Sequence, residues 1–135
     1  MARSQAAGRI LICEGNPETR ALLFFAVSDA MLAAGLAAEI LQTSNGDEGY
    51  RLVIQRQPEL IITARLIAGR SGDRFLRDLI SLRKLPGAVI AISGSSDDRQ
   101  VFAKVMEQAG RELDGFFLIP FDTTAVSDLV VKLLR

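Results

Sequence analysis

The sequence predicts an α/β domain built on a five-stranded parallel sheet with helices on both faces, and three observations predict it. Five short runs, Arg9–Cys13, Glu39–Thr43, Leu60–Ala64, Ala88–Ile92 and Gly115–Ile119, have the length of strands, and all but the more polar Glu39–Thr43 are apolar enough for strands covered on both faces. Longer stretches with apolar residues at helical spacing follow each run. Start and stop signals mark the boundaries between the two, in strict alternation, which calls for right-handed βαβ crossovers.

After Arg9–Cys13, Asn16-Pro17-Glu18 reads as a helix start, with Asn at the N-cap, Pro at the first helical position and an acid against the helix dipole. That helix is expected to run to about Ala34 and to close on Gly35. Asn45 with Glu48 three residues on resembles a capping box, and Tyr50, Val53 and Ile54 form the apolar face of the helix it opens. Pro58 stops this helix before Leu60–Ala64. A loop holding Gly69 and Gly72 leads to a helix with Phe75, Leu76, Leu79 and Ile80 on one face. Leu85-Pro86-Gly87 breaks the chain before Ala88–Ile92. Ser95-Ser96-Asp97-Asp98 is read as the cap of a helix that turns Val101, Phe102, Val105, Met106 and Ala109 inward. Pro120 ends the last strand, Asp122 caps the last helix, and Val126, Leu129, Val130 and Leu133 form its buried stripe. The usual strand order for five such units is the flavodoxin-like 2-1-3-4-5, a doubly wound (βα)5 sheet. In such a sheet a functional site belongs at the C-terminal strand ends, near Cys13-Glu14-Gly15, Ala64-Arg65, Ser93-Gly94 and Ile119-Pro120.

Composition narrows the function. The 135 residues fit one domain, read as a short tail over residues 1–8 and a folded unit over 9–135. At 49% hydrophobic and 24% charged, the chain is globular in type. Sixteen basic residues balance sixteen acidic ones, so no electrostatic reason favours a nucleic-acid partner. There is no histidine and one cysteine, Cys13 inside an apolar run, so neither a disulfide nor a soft-metal site is expected, and no cofactor is called for. Ala21–Ala38 is apolar enough to be weighed as a membrane span, but Asp29 at its middle and Gly35 near its end favour a buried helix. No signal peptide is read, and a cytoplasmic location is expected.

Several segments, taken together, resemble response-regulator receiver domains. Ile10-Leu-Ile-Cys-Glu-Gly-Asn-Pro17 is similar to their opening strand, acidic pair and Asn-Pro turn. Asn45-Gly-Asp-Glu48 resembles their second-helix entry, and Pro58-Glu-Leu-Ile-Ile62 with Gly69 and Gly72 their third strand and its loop. Val89-Ile-Ala-Ile-Ser-Gly94 resembles the fourth strand with its signalling hydroxyl, and Gly115-Phe-Phe-Leu-Ile-Pro-Phe-Asp122 the fifth strand with its Pro-Phe turn. The resemblance covers roughly residues 9 to 134. One departure is the connection Ala109–Gly115, about two residues longer than usual.

The chemistry-bearing positions are where the chain differs. The resemblance places the phosphorylated aspartate at Ala64, the magnesium-holding acidic pair at Glu14 and Gly15, and the phosphoryl-contacting lysine at Ile119. It matches Ser93 to the retained hydroxyl and Phe116 to the switching aromatic. An alanine methyl is no nucleophile, one acid is a poor magnesium site, and Ile119 supplies no cation. The resemblance therefore implies a degenerate pocket, no metal, no enzymatic activity and no phosphorylation cycle. Thr63 is not expected to substitute for the aspartate, because strand alternation turns it to the other face from residue 64.

Arg65, with Arg70 and Arg74 nearby, is open to two readings: an anion contact, or a charge paired with Glu14 or left in solvent. Ser93 is read as a strand-end serine that caps the next loop, and Phe116 as a fixed rather than a moving aromatic. Seven consecutive apolar residues, Ala21–Val27, exceed what one buried stripe accommodates, so Phe24 and Phe25 are either core or partner surface. The leading expectation is a phosphorylation-independent, receiver-like module that works by protein–protein contact. Its partner would be a histidine kinase, a phosphotransfer protein or a second copy of the chain. The alternative is a sensor of a small anion or nucleotide bound in the remodelled pocket.

Overall fold

The computed structural model describes residues 6–135. Its elements are β1 (Ala6–Cys13), α1 (Pro17–Ala33), β2 (Ala37–Thr43), α2 (Gly46–Arg56), β3 (Leu60–Ala64), α3 (Gly72–Ser81), β4 (Ala88–Ser93), α4 (Asp98–Glu107), β5 (Gly115–Leu118) and α5 (Thr123–Leu134). The five strands form one parallel sheet in the order β2-β1-β3-β4-β5, so the expected topology is the observed one.

Strand alternation divides the core into two halves. Ile10, Ile12, Leu60, Ile62, Ala64, Ile90 and Ile92 face α1 and α5, where Leu23, Val27, Met31, Val126 and Val130 cover them. Leu11, Cys13, Ile61, Val89 and Ala91 face α2, α3 and α4, under Val53, Phe75, Leu76, Leu79, Phe102, Val105 and Met106. Period-2 strands and period-3.6 helices thus meet on both sides, which is why the central strands read as unbroken apolar runs.

The caps follow the expected chemistry in three places. Asn16 Oδ1 accepts from the Glu18 and Thr19 amides at 2.9 and 3.0 Å. Asn45 Oδ1 accepts from Asp47 and Glu48 at 2.7 and 3.2 Å, and Asp122 Oδ1 from Thr124 and Ala125 at 2.9 and 3.4 Å. The box expected at Asn45 is closed differently. Glu48 accepts from the Thr43 hydroxyl, and Thr43 Oγ1 in turn accepts the Asn45 amide, so a threonine stands between the two ends of the box.

Some boundaries differ from expectation. Of the expected tail, residues 1–5 lie outside the described residues, whereas Ala6–Gly8 belong to β1 and pair with Ala37 and Ala38 across a register shift. β2 likewise starts two residues before the predicted Glu39. These small residues carry no hydrophobic signal, so only pairing reveals them. Leu118 ends β5, although the Ile119 amide still donates to Ser93 O at 2.7 Å before Pro120, without an N–H, stops the ladder. Ile54, expected on the buried face of α2, is 37% exposed.

The long connection before β5 is tied down. Arg111 donates to the Pro86 and Gly87 carbonyls at 2.7 and 2.9 Å, and Asp114 takes the Val89 amide at 2.8 Å. This holds β5 in register, with Ser93 opposite Leu118. No helix among the described residues is long and apolar enough to cross a membrane.

Candidate functional site

The C-terminal ends of β1, β3 and β4 and the residue after β5 surround a pocket of about 190 Å³. Glu14, Ala64, Arg65, Ser93 and Ile119 all line it, together with Leu66, Gly94, Ser95 and Asp98. Gly15, the other position assigned to the acidic pair, is exposed and is not part of the lining. A wider hollow of about 640 Å³ lies between the C-terminal halves of α1 and α5, beyond the opposite ends of the strands. Its walls combine Ala30, Ala33, Ala34 and Val131 with the charged Asp128, Lys132 and Arg135, away from the C-terminal strand ends.

Glu14 follows β1 directly and is only 5% exposed. Its amide donates to Thr43 O at 3.0 Å, which holds the residue in line with β2. Carboxylate Oε2 accepts from the Asn16 amide at 2.9 Å. Oε1 is buried and has no hydrogen-bond partner among the described residues. Arg20 reaches the same residue but donates to its backbone carbonyl, at 2.8 Å. A buried carboxylate oxygen left unpaired is costly, so this atom marks a place where a donor is wanted.

Asp98 is the residue that sequence reasoning missed. The run Ser95–Asp98 predicts a cap for α4, yet the N-cap residue Asp97 makes no side-chain bond to the helix, and Ser95 Oγ accepts the Asp97 amide at 3.2 Å. Instead the Asp98 carboxylate, 6% exposed, turns into the pocket. Oδ2 accepts from Ser93 Oγ at 2.5 Å and Oδ1 from Arg65 Nη1 at 2.9 Å. Ser93 Oγ also accepts the Ser95 amide at 3.0 Å, so the serine does cap the loop after β4. The run Ser95–Asp98 at the end of a strand was the available signal; a carboxylate there can turn either to a helix amide or back to the strand end.

Arg65 pairs with Asp98 at 2.9 Å and with Asp73 at 3.4 Å, not with Glu14 as the paired reading had it. The hydrogen bond to Asp98, with the nearby Asp73 charge, holds its guanidinium above the ordinary arginine value despite some desolvation. Both carboxylates lie on the α3 and α4 side of the loop, which pulls Arg65 away from Glu14. Arg70 and Arg74 are also paired, Arg70 with Asp47 and Asp78 and Arg74 with Asp78. Gly72 lets the loop close, because a Cβ there would stand 1.9 Å from the Ala64 carbonyl oxygen.

Thr63 is fully buried and donates to Ala64 O at 2.9 Å, which occupies its hydroxyl. Phe116 packs against the α2–α4 half of the core, and the Arg99 guanidinium lies 4.7 Å above its ring. Phe24 and Phe25 divide: Phe24 packs on the α1–α5 half of the core, while Phe25 is 62% exposed, in edge contact with Phe24. Cys13 is fully buried; desolvation, and next the charge of Glu48, push its thiol far above the ordinary value.

Magnesium, which intact pockets of the resembling family hold, finds few ligands among these residues. Glu14 offers one unengaged oxygen, both Asp98 oxygens are taken, and no cluster of three metal-ligating residues occurs among the described residues. This donor set does not suit an ion that wants near-octahedral oxygen ligands.

No protein-family model matches the chain, and no curated protein does. Solved structures do match. A chemotaxis response regulator of Vibrio cholerae superposes with a TM-score of 0.76 at 13% identity, covering 96% of this chain and 99% of that one. The signal receiver domain of a putative Luxo repressor protein from Vibrio parahaemolyticus gives 0.73 at 23% identity, with 94% and 89% covered. The receiver domain of the Francisella response regulator 1452 gives 0.73 at 14% identity, with 94% and 96% covered. The chain has the receiver-domain fold. In that fold the described pocket sits at the C-terminal ends of the strands, where doubly wound sheets place their ligands.

Proposed function

We propose that the chain is a phosphorylation-independent signalling module of the two-component type, acting through protein–protein contact and not as an enzyme. The observation that carries this reading is Ala64: the last residue of β3, 6% exposed, it turns a methyl group into the pocket. An acceptor of a phosphoryl group must be a nucleophile, and the two carboxylates nearby are held differently. Asp98 is spent on Ser93 and Arg65, and Glu14 has no cation paired with it, Ile119 in the same pocket supplying none. The same Arg65–Asp98–Ser93 link ties the end of β3 to β4 and to the start of α4. The surface formed by α4 and β5 is thereby held in one state without a modification to set it.

The partner in this reading is a histidine kinase or phosphotransfer protein, or a second copy of the chain, in the cytoplasm. The exposed side of α1, with Leu22 and Phe25, is the apolar surface available for such contact. Incubation with a small acyl-phosphate donor and magnesium, read by intact mass, should leave the mass unchanged. Affinity for a histidine kinase or phosphotransfer protein should be the same with and without the donor. Gain of one phosphoryl group on an acidic residue would overturn the proposal.

A small-ligand sensor is the second reading, and the unpartnered Glu14 Oε1 favours it. The same geometry disfavours the anionic or nucleotide form of that reading. Arg65, the residue proposed to contact an anion, is held by Asp73 and Asp98, and the pocket lining carries two carboxylates against one guanidinium.

A further inference from the structure

We propose that the pocket at the strand ends is a binding site for an alkylammonium group, either a free small amine or the tip of a lysine presented by a partner. The inference builds on the sensor reading of the pocket and does not depend on the signalling role. Four observations carry it.

Glu14 is 95% removed from solvent by its 5% exposure, yet Oε1 meets no donor among the described residues. The charge of the lining is unbalanced: Arg65 neutralises Asp98, and nothing in the lining neutralises Glu14. A ligand that supplies a positive donor satisfies both the atom and the charge. The rest of the wall is aliphatic, formed by Ala64, Leu66 and Ile119, with Leu66 80% and Ile119 37% exposed. That wall suits the methylene stem behind an ammonium head, as long cationic side chains lay their stems on apolar surface.

The donor geometry selects ammonium over its competitors. A guanidinium is best met by both oxygens of a carboxylate, but Glu14 Oε2 already accepts from the Asn16 amide. One free carboxylate oxygen meets a compact point charge instead. Ser93 Oγ, which accepts once from the Ser95 amide, keeps a second lone pair for another N–H. A pocket of about 190 Å³ admits a short amine head and stem, not a nucleotide.

The test is a titration of the ¹⁵N-labelled full chain, followed by amide chemical shifts. The probes are n-butylammonium, a blocked alanine peptide holding one lysine, n-butanol as the uncharged control, and inorganic phosphate. n-Butylammonium is expected to move the amides of Glu14, Ser93 and Gly94 with a dissociation constant on the order of millimolar, and n-butanol and phosphate are not. Tighter binding of the peptide assigns the site to a lysine tip, and exclusion of the peptide assigns it to free amines. Glu14→Gln should weaken binding roughly 10- to 100-fold, as expected for loss of a charged hydrogen bond. Ile119→Lys should abolish it by placing an ammonium in the pocket from within, which keeps the test decisive if Glu14→Gln is poorly folded. Equal shifts with n-butanol, binding of phosphate at these amides, or no shift with either amine would overturn the proposal. None of these outcomes bears on whether an acyl-phosphate donor modifies the chain.

Discussion

Replacing Asp98 with alanine removes the acceptor of two hydrogen bonds at once, those from Ser93 Oγ at 2.5 Å and Arg65 Nη1 at 2.9 Å. The serine bond is buried, and a hydrogen bond to a charged group contributes about 1.5–3 kcal/mol. The arginine side chain is 35% exposed, so its ion pair is screened and adds less than about 1 kcal/mol. Loss of the desolvated carboxylate offsets part of this, which leaves a net destabilisation of roughly 2–3 kcal/mol. For a chain of this length that corresponds to a fall in Tm of about 6–10 °C. Urea unfolding followed by circular dichroism at neutral pH measures it, with a lower midpoint and an unchanged slope. A double-mutant cycle with Ser93→Ala should show a coupling above about 1 kcal/mol, because the two residues share a bond. A loss below about 0.5 kcal/mol, or strict additivity in the cycle, would refute the view that Asp98 holds the strand end and α4 together.

The two adjacent phenylalanines of α1 should separate cleanly. Phe24→Glu places a charge against the core and should cost about 2 kcal/mol or more, whereas Phe25→Glu should change stability by less than about 0.5 kcal/mol; equal losses in urea melts would count against the packing described. Cys13 should resist Ellman's reagent in the native state and react fully in denaturant, because its thiol is buried and its ionisation suppressed; labelling within minutes under native conditions contradicts this. The Glu39 carboxyl is held below its ordinary value of 4.5 by hydrogen bonds from Arg9 and then Arg56. Because the folded value is the lower one, its contribution is present above that pH and disappears as pH falls through the folded value. The difference in Tm between the native chain and Glu39→Gln should therefore shrink from about pH 6 to about pH 3; a constant difference would sink the assignment.

The sequence alone was enough for the architecture. Unbroken runs such as Leu60–Ala64 and Ala88–Ile92 need cover on both faces, and the side-chain oxygens of Asn16, Asn45 and Asp122 have a local use within three residues. Those signals are short-range, so they survive in one dimension. It also showed which residues would gather at the strand ends, because topology carries Glu14, Ala64, Ser93 and Ile119 there once the strand order is 2-1-3-4-5. How the charges pair was settled by packing between distant parts of the chain. Arg65 had Glu14, Asp73 and Asp98 within reach of its loop, and the choice of the last two rests on contacts 8 and 33 residues away along the chain. Asp98 read as a helix cap because Ser-Ser-Asp-Asp caps helices, and it turned inward because a buried serine hydroxyl and a guanidinium offered more than a helix amide exposed to water. The unpaired Glu14 oxygen follows from that same choice. Local propensity shows where a polar side chain begins; its partner is set by the packing of elements far apart in sequence.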